Sequence, residues 1–254
     1  MFTAIFDLDG TLVDTAKDLM IAGNSTYKEL GWAVSLKWPK DYAIAIRGGR
    51  SMIRHGLISE SVPYTERLVD KLYPTLIKNY DQNIDQNSVL YDGVREMLDI
   101  LSVGGWNLGL CTNKPELQAN KLLSKLGIRQ YFSSFIGSDT VGKAKPSPIP
   151  MLAAISRANG KLETSVLVGD TVTDLETAQA AKTKFGSEND IRAKIDRETG
   201  DISLHKVLTI VDTPENLDTE ISIQEAKKIK DKENAKVGDE IFEELPPVDF
   251  GRIA

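Results

Sequence analysis

The sequence predicts an α/β protein in which a doubly wound parallel sheet carries a helical insertion after its first strand. Short apolar runs alternate with amphipathic stretches up to about residue 181, which is typical of a parallel sheet covered by helices on both faces. Residues 15–88 interrupt this alternation with helix-like spacing and no clear strand. Beyond residue 181, two short β-like runs flank a polar turn, which predicts a C-terminal α+β segment with a β-hairpin.

Composition limits the possible classes of protein. A chain of 254 residues has room for one large domain with an insertion, or for two modest domains. The formal net charge of −6 argues against a surface that coats nucleic acid, which needs clustered Lys and Arg. The single cysteine, Cys111, excludes an internal disulfide and fits a reducing compartment. With no basic leader and no long apolar run, we expect a cytoplasmic protein without membrane contact.

The first strand is predicted to end in two carboxylates. The apolar run from Phe2 to Phe6 indicates a buried strand, which Gly10 ends. Residues two apart in a strand point the same way, so Asp7 and Asp9 leave the sheet together at its carboxyl end. Two close acids repel each other unless a cation lies between them, and the pair therefore predicts a metal ion, Mg²⁺. The alternatives are a Ca²⁺ loop, disfavoured because Thr11 replaces its next acidic ligand, and a simple turn.

The later elements follow in order from periodicity and punctuation. Asp92-Gly93 opens a helix, residues 106–111 form a second strand, and Pro115 lies early in the next helix. Residues 135–137 form a short third strand, and Pro148 begins another helix. Residues 166–170 form a fourth strand that again ends in an acid, Asp170. Parallel strands share one carboxyl edge, so the polar ends of these strands are expected to converge there.

The predicted convergence suits phosphoryl transfer, which needs a nucleophile, a cation and donors for the phosphate oxygens. Asp7 is the candidate nucleophile, and Asp9 the candidate acid and base for the leaving group and water. Asp170 would complete a Mg²⁺ site with Asp7. The candidate phosphate-binding groups are Thr112, Asn113 and Lys145.

Each of these residues also has a structural alternative. Thr112-Asn113 is a possible cap for the helix that follows, and Lys145 a possible solvated lysine. Asp170 is a possible N-cap, and Asp174 a possible first-turn acid favoured by the helix dipole. The alternatives weaken together, since four separate segments would each carry the required group by accident.

Four motifs carry a family resemblance. They are Asp7-x-Asp9-Gly10-Thr11, Thr112-Asn113, Lys145-Pro146 and Gly169-Asp170-x-x-x-Asp174. In this order they resemble the motifs of the haloacid dehalogenase (HAD) superfamily, whose core is a Rossmann-like sheet. The resemblance implies an aspartyl-phosphate mechanism at Asp7, with the Asp9 backbone carbonyl as a further Mg²⁺ ligand. It also implies that Asp174 orients the metal-binding residues.

Within the superfamily the chain is most similar to phosphoglycolate phosphatases. Residues 14–19, just after the first motif, and residues 47–57, inside the helical insertion, carry this similarity. The resemblance implies that residues 15–88 form a cap over a core of residues 1–14 and 89–181. It also implies that the Gly48-Gly49 turn and neighbouring Arg47 or Arg50 approach the substrate. The same four residues are equally compatible with a helix-breaking turn and solvated arginines.

The family pattern is predicted to break after the fourth motif. A further parallel strand normally follows its helix, but residues 180–190 contain no apolar run, so we expect this strand to be missing. Its loss would leave unpaired backbone beside Asp170. We expect residues 191–195 or 202–211 to cover part of that edge, or the edge to promote association.

Residues 182–254 resemble a second family, the N-terminal domain of the transcription factor NusA. The similarity lies in residues 195–201, 220–228 and 237–254. It implies contact with RNA polymerase and no direct contact with RNA. Both partners look truncated at a join between Asp174 and Lys184, compatible with a natural fusion, a mis-joined reading frame or a laboratory chimera.

Three functions therefore compete. The first is a Mg²⁺-dependent phosphatase acting on a small phosphorylated acid such as 2-phosphoglycolate. The second is an RNA-polymerase-binding fragment fused to a phosphatase remnant, and the third is an inactive hybrid with a damaged core. The intact acid set favours the first, because a remnant has no chemical need for all four motifs.

Overall fold

The computed structural model of this chain describes residues 1–187. These residues form two compact units. The first unit comprises Met1–Leu8, Asp92–Glu116 and the described residues from Gln130 onward. The second comprises Asp9–Tyr91 and Leu117–Arg129.

The first unit is built on a five-stranded sheet whose paired strands all run parallel. Its strands are β1 (Thr3–Phe6), β4 (Asn107–Cys111), β5 (Ser134–Ile136), β6 (Ser165–Gly169) and β7 (Lys184–Ser187), in the order β5-β4-β1-β6-β7. All residues of β1 and β6 are buried, as expected of central strands in a parallel sheet. The parallel α/β sheet predicted from the sequence is confirmed.

Helices of the first unit cover this sheet, namely α5 (Val94–Val103), α7 (Pro148–Arg157) and α8 (Val172–Ala180). Helix α6 (Glu116–Lys125) belongs to the second unit from Leu117 onward. Helix α7 starts where predicted: Ser147 caps it by accepting a hydrogen bond from Ile149 N (3.4 Å), and Pro148 lies in the first turn. Ile5, Cys111 and Leu167 of the sheet pack with buried residues of α7 and α8 in one apolar cluster. Successive residues of a strand point to opposite faces of the sheet, so the buried residues next to Ile5, Cys111 and Leu167 in their strands point to the opposite face.

The expected loss of the last strand is wrong. Strand β7 pairs with β6 in register, from Val166 opposite Lys184 to Gly169 opposite Ser187. The turn after α8 returns the chain to this edge, and Thr183 Oγ1 donates to Ser165 O (2.9 Å) just before the strand. The sequence concealed β7 because an open strand edge supplies hydrogen bonds to any backbone, whatever the β propensity of its side chains. The expected runs 191–195 and 202–211 lie outside the described residues.

The second unit is mainly helical, as predicted for residues 15–88. Its helices include α1 (Ala16–Glu29), α2 (Tyr42–Ala45), α3 (Gly49–Ser59) and α4 (Glu66–Gln82). Helices α1 and α3 approach closely at Gly56, where an added Cβ would lie 2.7 Å from Cε1 of Tyr27. Tyr27 OH donates to Met52 O (2.5 Å) in the same interface. Nowhere in residues 1–187 is there a helix with both the length and the apolarity needed to cross a membrane.

The two ends of the helical insertion are fastened together. Strands β2 (Val13–Asp14) and β3 (Val89–Leu90) pair antiparallel. Nearby, the fully buried Asp18 carboxylate accepts hydrogen bonds from the backbone N–H groups of Asn87 and Ser88. It also accepts from Asn87 Nδ2 (2.8 Å) and Ser88 Oγ (2.7 Å). A buried carboxylate needs this many donors to offset its lost hydration, so Asp18 is a fixed junction between α1 and the chain entering β3.

Candidate active site

Asp7 directly follows β1 and lies at the carboxyl edge of the sheet. Its backbone N–H donates to Val168 O (2.8 Å), which continues the pairing of β1 with β6 by one residue. The side chain is buried, and its Oδ1 lies 2.8 Å from Lys145 Nζ. The sequence prediction that Asp7 would end the first strand as a carboxylate is confirmed.

Lys145 is a buried cation rather than the solvated lysine of the alternative interpretation. Its ammonium contacts both Asp7 and Asp174, and only 3% of its side chain is exposed. Burial lowers the pKa of Lys145, but the two carboxylates more than offset this and hold its pKa above the usual lysine value. Lys145 therefore stays charged and partly balances the acids around it.

Asp174 connects Lys145 to the start of α8. The residue that caps this helix is Thr171, whose side chain accepts from Asp174 N while Asp174 Oδ2 accepts from Thr171 N (3.1 Å). The other carboxylate oxygen, Oδ1, accepts from Lys145. Asp174 is an acid of the first turn of α8, as the alternative interpretation had it. Its carboxylate also contacts the buried Lys145. Asp170 is not the helix cap.

Gly169 allows this arrangement. A Cβ at this position would lie 2.5 Å from both Cβ and Cγ of Asp174. The end of β6 and the first turn of α8 therefore approach more closely than any other residue permits. This contact explains the glycine in front of Asp170.

Three carboxylates converge in a group that suits a metal ion. One oxygen each from Asp7, Asp170 and Asp174 lies within 4.8 Å of the other two. The sequence predicted metal ligands at Asp7, Asp9 and Asp170; the Asp9 carboxylate is not in this group and Asp174 is. The three acids and Lys145 carry a net formal charge of −2, which suits a divalent cation with a preference for oxygen.

Thr112 and Asn113 do not cap the next helix. The first N–H of α6, at Glu116, donates instead to Asp139 Oδ1 (2.9 Å). Thr112 is buried, and its Oγ1 accepts from Lys114 N (3.2 Å), which leaves the hydroxyl proton for another acceptor. Asn113 uses its amide differently: Oδ1 accepts from Lys145 N (2.9 Å), and Nδ2 donates to Lys145 O (3.1 Å).

Asp9 belongs to the second unit. Its Oδ1 accepts a hydrogen bond from Thr15 Oγ1 (2.6 Å), and Thr15 immediately precedes α1. The carboxylate is therefore held by the residue at which the helical insertion begins. Thr15 was not singled out from the sequence, because a threonine before a helix suggests a cap; here its side chain makes no cap hydrogen bond.

The four candidate substrate residues of the insertion lie around the start of α3. Gly48 has φ of 86°, which favours glycine, and a Cβ on Gly49 would lie 2.7 Å from Leu76. Arg50 forms an ion pair with Asp70 (3.0 Å) and stacks over the Tyr73 ring at 4.0 Å. Arg47 is exposed. The turn interpretation thus explains both glycines, while within residues 1–187 no side-chain hydrogen bond, ion pair or ring contact holds Arg47 as Asp70 and Tyr73 hold Arg50.

The residues on either side of Thr112 and Asn113 are buried in a way that the sequence did not indicate. Lys114 is 7% exposed, although an isolated lysine usually predicts solvent exposure. Cys111, at the end of β4, is buried, and this burial raises the pKa of its thiol to about 12. A thiol with this pKa remains protonated at neutral pH and acts as an apolar core residue.

Comparison with known proteins extends these observations. Residues 4–187 match the family model of haloacid dehalogenase-like hydrolases. Residues 154–254 match the model of the NusA N-terminal domain, so the two matches overlap over residues 154–187.

Several curated proteins are similar in sequence. A phosphoglycolate phosphatase from Agrobacterium fabrum is 38% identical over 70% of this chain and 76% of its own length. A phosphoglycolate phosphatase from Aquifex aeolicus is 30% identical over 85% of this chain and 98% of its own.

Solved structures share the fold. The crystal structure of a predicted phosphoglycolate phosphatase from Haemophilus somnus 129pt has a TM-score of 0.62 at 24% identity, covering 73% of this chain and 84% of that one. The crystal structure of CbbY from Rhodobacter sphaeroides in complex with phosphate also has a TM-score of 0.62, at 22% identity over 74% and 86% of the two chains.

Proposed function

The chain belongs to the haloacid dehalogenase-like hydrolases and is an enzyme of the phosphatase type, and on this premise we propose that it hydrolyses 2-phosphoglycolate through an aspartyl-phosphate. The observation that carries the proposal is the buried Asp7 carboxylate paired with Lys145 beside Asp170 and Asp174. A carboxylate at the end of a rigid central strand is well oriented for in-line attack. The relatives named phosphoglycolate phosphatase support this choice of substrate.

In the first step, a carboxylate oxygen of Asp7 attacks phosphorus and the bond between phosphorus and the ester oxygen breaks. The leaving alkoxide takes a proton from the carboxylic acid of Asp9, which becomes a carboxylate. Lys145 lies 2.8 Å from Asp7, so its positive charge lowers the repulsion between this carboxylate and the phosphate anion. The Thr112 hydroxyl proton is available to a phosphate oxygen.

In the second step, the Asp9 carboxylate removes a proton from water as the water oxygen attacks phosphorus. The bond between phosphorus and Asp7 breaks, which releases inorganic phosphate and restores both acids to their starting states. The hydrogen bond from Thr15 keeps one oxygen of Asp9 fixed. Asp9 thus serves as acid first and base second.

The residues present fit Mg²⁺. Asp7 and Asp170 would provide oxygen ligands, together with the Asp9 backbone carbonyl that the family resemblance adds, and Asp174 holds both Lys145 and the start of α8 in place. When bound, Mg²⁺ supplies positive charge that offsets the phosphate oxygens. The net formal charge of −2 on the three acids and Lys145 supports a divalent ion.

The substrate assignment extends to the helical insertion. The carboxylate of 2-phosphoglycolate requires a cation in addition to the groups that hold phosphate. Arg47 is the stronger candidate, because Arg50 already pairs with Asp70 and stacks on Tyr73. Gly48 and Gly49 shape the turn that presents Arg47.

We also place the enzyme in the cytoplasm, where a lone buried thiol such as Cys111 stays reduced.

Activity assays with purified full-length protein test this proposal. We expect release of phosphate from 2-phosphoglycolate and from para-nitrophenyl phosphate with Mg²⁺, and loss of release after EDTA treatment. Asp7→Asn should reduce kcat by on the order of 10⁴-fold or more, because an amide cannot form the acyl phosphate. Equal rates for wild-type and Asp7→Asn protein would refute the mechanism.

A variant of the insertion tests the substrate assignment. Arg47→Ala should raise KM for 2-phosphoglycolate by about tenfold or more and leave hydrolysis of para-nitrophenyl phosphate, which has no carboxylate, almost unchanged. Loss of both activities to the same extent would argue against this role of Arg47. Lys71→Ala, which removes an exposed cation from α4, is the matched control.

The match of residues 154–254 to the NusA N-terminal domain favours a second function, binding of RNA polymerase through the C-terminal segment. The test is surface plasmon resonance between the full-length chain and purified RNA polymerase. Saturable binding that survives Asp7→Asn would support a function separate from catalysis. Absence of binding at micromolar concentrations would remove this candidate.

A further inference from the structure

The side chain of Asn113 spans both backbone groups of Lys145. Oδ1 accepts from Lys145 N at 2.9 Å, while Nδ2 donates to Lys145 O at 3.1 Å. Only one orientation of the amide satisfies both bonds, because the backbone N–H needs an acceptor and the carbonyl needs a donor. The two residues are 32 positions apart, so this is a tertiary contact and not a local turn.

The contact matters because Lys145 lies outside regular secondary structure. It is in the connection between β5 and α7, which end and begin at Ile136 and Pro148. Asn113, by contrast, follows the central strand β4 by two residues. A flexible connection does not by itself fix the Cα of a lysine, so an anchor from the end of β4 gives the long side chain a defined starting point.

The far end of Lys145 is fixed as well. Its ammonium contacts Asp7 and Asp174, and its side chain is 3% exposed. The lysine is therefore held at its backbone by Asn113 and at its ammonium by the two acids. Both the carbonyl oxygen and the NH₂ group of the Asn113 side chain form hydrogen bonds in this contact. Thr112 differs, because its Oγ1 accepts a hydrogen bond from Lys114 N and its hydroxyl proton is not used in that bond.

We infer that Asn113 is a positioning residue that acts through Lys145, and that its side chain does not hold the phosphate. This inference rests on the proposed phosphatase function, and it replaces the phosphate-binding role that the sequence suggested for the Asn113 side chain. The role of Asn113 is to keep Lys145 Nζ close to Asp7 when the negatively charged phosphate of the substrate binds. Its contribution then depends on the presence of the lysine side chain.

A double-mutant cycle in kcat/KM separates the two roles. With para-nitrophenyl phosphate and Mg²⁺, we expect Asn113→Ala to lower kcat/KM by about 10²-fold, the size of effect that misplacement of a catalytic group produces. Lys145→Ala should lower it by about 10²- to 10³-fold. The double variant should be within about threefold of Lys145→Ala alone, because Asn113 then has no lysine to position. A double variant that is about 10²-fold worse than Lys145→Ala would show direct phosphate binding and overturn the inference.

Hydrogen exchange at the Lys145 amide gives a second readout that needs no activity. Because Asn113 Oδ1 accepts this N–H, we expect slow exchange in the wild type and at least tenfold faster exchange in Asn113→Ala. Unchanged protection in the variant would overturn the inference even if wild-type protein has no phosphatase activity. An inactive wild type with a released Lys145 amide in Asn113→Ala would instead count against the proposed function alone.

Two variants control for folding. Asn107→Ala removes an asparagine from the opposite end of β4, where Nδ2 donates only a 3.4 Å bond to Asn159 O, and should leave kcat/KM within about twofold. Asn113→Asp keeps the acceptor for Lys145 N and replaces alanine in the cycle and in the exchange experiment if Asn113→Ala does not fold. In the exchange experiment it should retain protection of the Lys145 amide; loss of protection would overturn the inference.

Discussion

The two units use ion pairs in opposite environments. In the sheet unit, Lys145 pairs with Asp7 and Asp174, and the three side chains are 3%, 9% and 0% exposed. In the helical unit, Arg50 pairs with Asp70 at 43% and 60% exposure. The same kind of charge pair is therefore dry in one unit and hydrated in the other.

The difference in exposure determines how much each ion pair contributes to stability. A hydrated pair contributes little, since water stabilises each charge almost as well as the partner does. A buried charge requires partners, because removing one leaves the other without water or counter-charge. A protein gains little stability from a buried cluster such as Lys145 with its acids, so its presence at the end of a central strand is better explained by catalysis than by folding.

The largest effect is expected from removing the buried cation. Lys145→Met leaves Asp7 and Asp174 facing each other, which should lower the free energy of unfolding by about 3–5 kcal/mol in Mg²⁺-free buffer. Guanidinium unfolding with EDTA measures this change, and adding Mg²⁺ should restore part of it. The control is Lys143→Met, an exposed lysine of the same loop, with an expected change within about 0.5 kcal/mol. Equal losses in both variants would remove the distinction between buried and exposed lysines.

A smaller loss is expected when Asp174 keeps its shape but loses its charge. Asp174→Asn retains one acceptor for Thr171 and Lys145, so we expect a loss of about 1–3 kcal/mol in the free energy of unfolding. The Mg²⁺ concentration for half-maximal activity should rise by about 10- to 100-fold. Glu176→Gln, an exposed acid on the same helix, is the control for charge loss in α8. An unchanged Mg²⁺ requirement would show that Asp174 does not support the metal site.

The buried thiol of Cys111 makes the free energy of unfolding depend on pH. Its pKa is raised to about 12, so the stability associated with the protonated thiol is complete below its ordinary value of about 8.5 and is lost as pH rises towards 12. We expect the free energy of unfolding to fall by up to about 1.4 kcal/mol per pH unit in this window through this group. The difference in slope between wild type and Cys111→Ala measures it.

Alkylation gives an independent check, since Cys111 is the single cysteine in the chain. At pH 8.5, iodoacetamide should modify the protein in guanidinium but not in native buffer. Rapid modification of the native protein would contradict the closed core described for this unit.

The smallest effect is expected in the helical unit. Asp70→Asn removes the hydrated partner of Arg50 but keeps its contact with Tyr73, and should change the free energy of unfolding by less than about 1 kcal/mol. Repeating the measurement in 1 M NaCl should abolish the difference, because exposed charges are screened. A loss comparable to that of Lys145→Met would mean that exposure does not determine the strength of these pairs.

The sequence predicted the elements with strong periodicity and the residues at strand ends. Strands β1, β4, β5 and β6 were found at the predicted positions, with Asp7 and Asp170 close to their ends. These predictions held because a buried parallel strand needs a continuous apolar run, and its carboxyl end is fixed by topology. Strand β7 was missed because its pairing depends on the open edge of β6, which local sequence does not show.

Side-chain partners were harder to predict than positions. Asn113 was predicted to bind phosphate, and the structure adds a contact of its amide with Lys145, a residue 32 positions later whose loop path the sequence does not specify. Asp174 was not among the predicted metal ligands, although one of its carboxylate oxygens lies within 4.8 Å of oxygens of Asp7 and Asp170. In each case the residue type indicated which kind of interaction the side chain could make, and the tertiary packing determined with which residue it made it.

The junction at Asp18 holds the two ends of the helical insertion together. Because Asp18 joins the start of α1 to Asn87 and Ser88, the ends of the insertion meet whatever lies between them. We therefore expect changes in the length of the helices between these points to leave the path of the chain into β3 unchanged. Transplanting the segment from Thr15 to Ser88, with its own closing carboxylate, should therefore preserve this junction in a recipient of the same fold.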